Sequence, residues 1–364
     1  MTTRDDARQH NNQPNDDDLN PYLWDKSGAA DPEITRLEGL LGRFRHDQPL
    51  RSLPAPPGTW VQRVRGWRWI SAAALAITVI VALGIYLDVQ NRLRWKAGNP
   101  WKVVKLAGTP KINGEDSDSW GQLPLGQMLQ TDGVSRAELH IGRIGVVEVQ
   151  PNTTVRLLET RSGHHRMELV EGAISARTWA PPFSFAVETR SATAFDLGCA
   201  FTLEAHHDGS GVVRVTSGWV QFAFDDIQAL VPAGAEAVTR EGLGPGTPYF
   251  SDTSAAFKAA LAQFDLSRAD DDARAIALNV ALAAAGKRDA ISLLNLFRKV
   301  SPEQRGLIFD RLAAFSPPPA GVTREAVVAG VVQALDPWWT QVERETGVGD
   351  PKNWLGKWKD GLKF

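Results

Sequence analysis

The sequence predicts a multidomain chain with a single transmembrane helix, an all-β sandwich or roll, and a C-terminal all-α helical domain. Three observations predict it. An uncharged apolar run spans Trp69 to Leu87, turn signals punctuate residues 103–240 at short intervals, and the apolar period becomes helical from Ser254 onward. The chain has 364 residues, 43% of them hydrophobic and 23% charged, which excludes collagen-like, coiled-coil and wholly disordered classes. Forty basic against 42 acidic side chains give a net charge of −2, which argues against a dedicated nucleic-acid binder. One cysteine, Cys199, permits neither an internal disulfide nor a thiolate zinc cluster.

Residues 1–68 form the first expected part. The opening 19 residues are polar and rich in Asp, Asn and Gln, and read as a tail that cannot repay the entropy of ordering. Trp24 precedes Asp31-Pro32-Glu33, where Asp31 can cap a helix that has Pro32 at its first position. Ile34, Leu37, Leu41 and Phe44 then recur at helical spacing. So short a helix is marginal alone and gains stability by laying its apolar face in a partner's groove, on a membrane surface or against its own neighbours. Trp24, Ile34, Leu37, Leu41 and Phe44 are the candidate partner-binding residues. Residues 46–59, with Pro54, Pro56, Pro57 and Gly58, read as a linker.

The run 69–87 rises roughly 28 Å as a helix, enough to cross a hydrocarbon core. Trp67, Trp69, Tyr86, Trp95 and Trp101 would form its interfacial belts. Basic residues flank both ends, so charge alone does not orient it.

In 103–240, turns are expected at Asp132-Gly133, Pro151-Asn152, Ser162-Gly163, Glu171-Gly172, Pro181-Pro182, Asp208-Gly209, Ser217-Gly218 and Pro232-Ala233-Gly234. Alternation at Ala137/Leu139/Ile141, Phe183/Phe185/Val187 and Val220/Phe222/Phe224 predicts half-buried strands between them. Residues 254–364 should hold helices near 256–264, 273–285, 290–300, 302–315 and 324–335, with Ser301-Pro302-Glu303-Gln304 as a capping box.

No phosphate loop, zincin helix or nucleophile elbow occurs in the sequence, so an enzyme is not expected. The pairs His164-His165 and His206-His207 fall at hairpin turns and read as solvated histidines rather than metal ligands. Cys199 reads as a small buried hydrophobe, and Asp270-Asp271-Asp272 as a helix start. No cofactor or metal is expected.

The segments Asp132-Gly133-Val134-Ser135-Arg136-Ala137, Pro151-Asn152-Thr153, Leu169-Val170-Glu171-Gly172-Ala173-Ile174, Ala194-Phe195-Asp196-Leu197-Gly198-Cys199-Ala200-Phe201, Val213-Arg214-Val215-Thr216-Ser217-Gly218 and Val231-Pro232-Ala233-Gly234 give the chain a family likeness. In this order they resemble the FecR-type domain of bacterial membrane-bound sigma-factor regulators. Asp132, Asn152, Gly172, Asp196, Gly198, Phe201, Gly218 and Gly234 carry the resemblance. It implies a cytoplasmic N-terminal segment that holds a sigma factor, one span in the bacterial inner membrane, and a periplasmic β domain that receives a signal from an unknown ligand or protein. The competing expectation is an envelope scaffold or ligand-binding protein without sigma-factor control.

Overall fold

The computed structural model describes residues 32–44, 60–117, 119–266 and 270–349. The polar tail, Trp24, the linker and the tryptophans at 354 and 358 lie outside them. Two compact units divide near residue 77. The first contains helix α1 (Pro32–Leu41), extended by a 3-10 turn over Gly42–Phe44.

Helix α2 (Trp60–Leu93) runs through the apolar stretch, yet among the described residues no helix is long and apolar enough to cross a membrane. The transmembrane helix expected at 69–87 is therefore overturned. The aromatic belt fails with it at Trp101, which is fully buried in the β core, and at Trp95, whose ring packs edge-on against His165 at 6.2 Å.

The second unit contains 18 strands in one connected, curled sheet. In chain order they are β1 (Trp101–Ala107), β2 (Lys111–Ile112), β3 (Glu115–Asp116), β4 (Trp120–Leu123), β5 (Met128–Gln130), β6 (Arg136–Ile141), β7 (Gly145–Val149), β8 (Thr154–Arg161) and β9 (His164–Thr178). There follow β10 (Phe185–Glu188), β11 (Thr193–Asp196), β12 (Ala200–Ala205), β13 (Gly211–Ser217), β14 (Trp219–Phe224), β15 (Ile227–Pro232), β16 (Ala235–Arg240), β17 (Gly244–Pro245) and β18 (Tyr249–Phe250). One half pairs in the order β4-β1-β6-β7-β9-β12-β13-β16, with β17 and β18 along β16. The other runs β3-β2-β5-β8-β9-β10-β11-β14-β15. Pairing is antiparallel except between β9 and β10.

Strand β9 belongs to both halves. Its first part pairs with β8 and β10 and its second with β7 and β12. The sandwich or roll expected here is one continuous sheet folded over on itself, and Glu171-Gly172 is a corner inside a 15-residue strand rather than a turn between strands. Gly172 has φ +102°, and a Cβ there would lie 2.5 Å from Thr153 Cα and 2.6 Å from the Asn152 carbonyl oxygen. Only glycine fits that corner. The two inner faces fill one core with Trp101, Val103, Leu139, Val147, Ile174, Phe201, Leu203 and Val213 from one half, and Leu129, Val155, Leu157, Met167, Leu169, Phe185, Val187 and Phe222 from the other.

Beyond the strands come α3 (Ala255–Leu266), α4 (Asp271–Ala284), α5 (Ala290–Leu296), α6 (Pro302–Ala313), α7 (Arg324–Val328) and α8 (Asp336–Thr346). Asp270 caps α4 through Ala273 N at 2.8 Å, and Ser301 and Gln304 form the expected capping box on α6. The helices share the β core instead of enclosing a wholly separate one. Asn295 of α5 is the clearest link: its Oδ1 accepts from Leu230 N at 2.8 Å, and its Nδ2 donates to Leu230 O at 3.2 Å. An amide thereby supplies the partner that edge strand β15 lacks at that point. Lys299, nearly buried, donates to Asp265 Oδ1 at 2.8 Å and to the Pro245 carbonyl at 2.9 Å, tying the segments after α5 and within α3 to β17.

Gly172→Ala should lower the free energy of unfolding by more than about 3 kcal/mol, because backbone strain adds to a clash with immobile backbone. Gly114→Ala, also at positive φ but with open space around it, should cost only about 1 kcal/mol. Denaturant titration of both variants checks the difference; equal costs would mean that the corner is not close-packed.

Candidate functional site

Helix α1 is the candidate interaction element. Pro32 fixes its start and Glu33 places negative charge in its first turn, which favours the helix dipole. At the other end Arg43 Nε donates to the Leu40 carbonyl at 3.0 Å. No residue of α1 is buried. Leu37 is 56% exposed, Leu41 62% and Phe44 77%, while Ile34 is half-buried. The helical spacing puts Ile34, Leu37 and Leu41 on one side, and Leu40, also exposed, widens the row. Trp24, the fifth residue expected on this face, is outside the described residues.

The residues that carry the family resemblance have a different role. Asp132 sits where the chain passes from β5 in one half to β6 in the other; its Oδ1 accepts from Val134 N at 3.0 Å and Ser135 N at 2.8 Å. The Ser135 side chain, as the largest cause, and then the Val134 and Ser135 N–H groups hold its carboxyl below the ordinary carboxylate range. Asn152, at φ +53°, occupies the return passage from β7 to β8, and its N–H donates to the Asp132 carbonyl at 2.9 Å. Gly172 closes the same corner against Thr153, whose hydroxyl accepts from Ala173 N at 2.9 Å.

Asp196 and Gly198 make the passage from β11 to β12. The Asp196 carboxylate is fully buried and accepts from Gly198 N at 3.1 Å, Cys199 N at 2.9 Å, the Thr178 hydroxyl and the Cys199 thiol. Burial raises its pKa, and the hydrogen bonds from Cys199 and Thr178 pull the other way. Gly218 and Gly234 guide the last two passages side by side: Ala233 N donates to Gly218 O at 2.9 Å, and Gly234 N to Val215 O at 2.8 Å. Phe201 is a core residue just past the Gly198 corner. All of the polar and glycine positions in this set therefore lie where the chain changes from one half of the sheet to the other. They specify a topology, not a reaction centre.

Histidine 165 departs from the expectation of a solvated turn. It lies on β9, is 2% exposed, and its Nδ1 is 3.3 Å from both Trp101 Nε1 and Thr160 Oγ1. Burial lowers its pKa to about 4. His164 is exposed on the opposite face, as alternation along a strand requires. Among the described residues, no group of three or more His, Cys, Asp or Glu side chains is arranged to hold a metal.

No protein-family model and no curated protein matches the chain. Among solved structures it is similar to a protein of Parabacteroides distasonis ATCC 8503 described as a "putative anti-sigma factor", determined at 1.65 Å and at 2.50 Å. Each of the two superposes with a TM-score of 0.29 and 21% sequence identity. The similarity covers 37% of this chain and 64% of that one. So shallow a superposition transfers no residue role to this chain.

The His165 environment predicts an acid-sensitive fold. The folded pKa lies below the unfolded value of 6.5, so between pH 6.5 and about 4 the unfolded chain binds a proton that the folded chain does not. Stability should therefore fall as the pH drops through that window, by up to about 3 kcal/mol from this group. His165→Gln should lose less stability than the wild type between pH 7 and pH 4.5 in urea titrations; parallel losses would rule His165 out as the source.

Proposed function

We propose that this chain is a regulator of the anti-sigma type, in which α1 holds a sigma factor and the curled β body receives the signal that governs the hold. It is read as a binding protein and not as an enzyme. The observation that carries the proposal is the exposed row of Leu37, Leu41 and Phe44 on a helix with no buried residue. Burying a large aliphatic or aromatic side chain contributes about 1.5–3 kcal/mol, so three or four of them can offset the ordering of one short helix on a partner. The mixed charges around the row, Glu33, Arg36, Glu38 and Arg43, suit a protein groove with a polar rim better than an anionic lipid surface. The order of sheet-crossing residues from Asp132 to Gly234, which resembles FecR-type regulators, supports the assignment of the β body to signal reception.

The test is affinity capture of the tagged full chain in its native host with quantitative mass spectrometry, beside the double variant Leu37→Asp, Leu41→Asp. A sigma factor enriched by the wild type should drop at least about tenfold with the variant, since two charges would have to be buried unpaired. Equal capture by both proteins, or no sigma factor with either, would refute the assignment.

A further inference from the structure

A second recognition feature lies beside the body's first strands. The groove of about 420 Å³ between the segment entering β1 and edge strand β4 is lined by Trp95, Asn99, Pro100, Lys102, Trp120 and Gln122. It is within the size range of small-ligand sites. Its two walls are aromatic and its rim polar.

Trp95 is a fixed wall. Its N–H donates to Ser162 Oγ at 2.8 Å, and the Ser162 hydroxyl donates back to the Trp95 carbonyl at 3.0 Å. Gly98 N–H donates to Thr160 O at 3.0 Å, and the buried His165 ring packs against the indole from behind. Trp120 is the opposite wall, on β4, and is 64% exposed. Register sets the rim: Lys102 is opposite Gln122 and Val104 is opposite Trp120, so Lys102, Gln122 and Trp120 share the outward face of the sheet. Among the described residues, the side chains of Asn99, Lys102 and Gln122 take no hydrogen-bond or ion-pair partner. A donor-rich rim with one ammonium and no carboxylate therefore surrounds two indoles that are held apart.

We propose that this groove binds an acidic oligosaccharide. A sugar ring offers an apolar C–H face, which stacks on an indole, and a rim of hydroxyls that the two amides can bond. A uronate carboxylate supplies the charge that Lys102 lacks, as a charge-assisted bond. The inference does not depend on what α1 binds.

The test applies the full chain to an immobilised panel holding uronate oligomers (tetragalacturonate and a hyaluronan tetramer), neutral oligomers (cellotetraose and chitotetraose) and decaproline, with calorimetry on those retained. Uronate oligomers should be retained. Trp120→Ala should weaken that binding by about tenfold. Lys102→Met, a change at an exposed strand position that leaves the aromatic walls intact, should weaken it by about fivefold. Retention of no sugar, of neutral sugars only, of decaproline in place of sugar, or binding unchanged by both substitutions would overturn the assignment.

Discussion

The architecture of the second unit depends on one strand that serves two halves of a sheet. Strand β9 is 15 residues long and carries inward-facing Met167 and Leu169 before its corner and Ile174 and Ala176 after it. At Gly172 the side-chain alternation shifts phase, so that both segments still point their apolar residues into one core. The register reports the same event: Glu171 opposes Thr154 of β8, while Gly172 opposes Ala205 of β12. Because β7, β8, β10 and β12 all pair with this strand, the bend at one glycine sets the positions of four neighbours. Thr153 is buried at the corner with its hydroxyl satisfied by Ala173 N and by nearby carbonyls, while Asp132 and Asn152 tie the two chain passages together on its exposed side.

Folding a sheet over on itself leaves two problems, its open edges and its ends, and the helical segment addresses one of each. Asn295 presents both halves of an amide to Leu230 on β15, imitating a strand at the point where continued pairing would invite a second chain. At the far margin Trp219 Nε1 donates to the Gly349 carbonyl at 2.9 Å while its ring meets Trp339 edge-on at 6.4 Å. These contacts explain why the helices join the β core.

Much of the fold was legible in the sequence. The alternation at Ala137, Leu139 and Ile141 and the capping box at Ser301 and Gln304 each correspond to an observed element, because local rules decide them. What local rules could not reveal was connectivity. A glycine at positive φ marks a hairpin turn and a sheet corner equally well, so Glu171-Gly172 read as a break where the strand runs on. His164-His165 shows the same limit: adjacency to Ser162-Gly163 suggested solvent, but alternation buries one member of the pair beneath Trp101. The run 69–87 shows a different one. Composition marks it as apolar, whereas among the described residues no helix is long and apolar enough to cross a membrane. Asn295 was invisible because nothing within an apolar helix announces that its amide will meet a strand edge, and the Trp95–Trp120 groove was equally hidden because it joins residues from opposite sides of a crossing.

Two kinds of surface therefore remain after the core is filled, and they differ in preorganisation. The α1 row is an apolar face on a helix too short to be stable alone, so its binding free energy must include ordering the helix. The groove beside β4 has one wall fixed by Ser162 and His165 and the other by strand register, so little ordering is left for a ligand to induce. A partner on α1 can thus be gained or lost through small changes in helix stability, whereas a ligand in the groove meets a site whose shape is set by the same β8–β9 hairpin that feeds the Gly172 corner. If occupancy of the groove is to be felt elsewhere, the shortest covalent route is through Trp95, which lies directly between the end of α2 and the first strand. The indole that walls the groove is then also the anchor that fixes the chain as it enters the body.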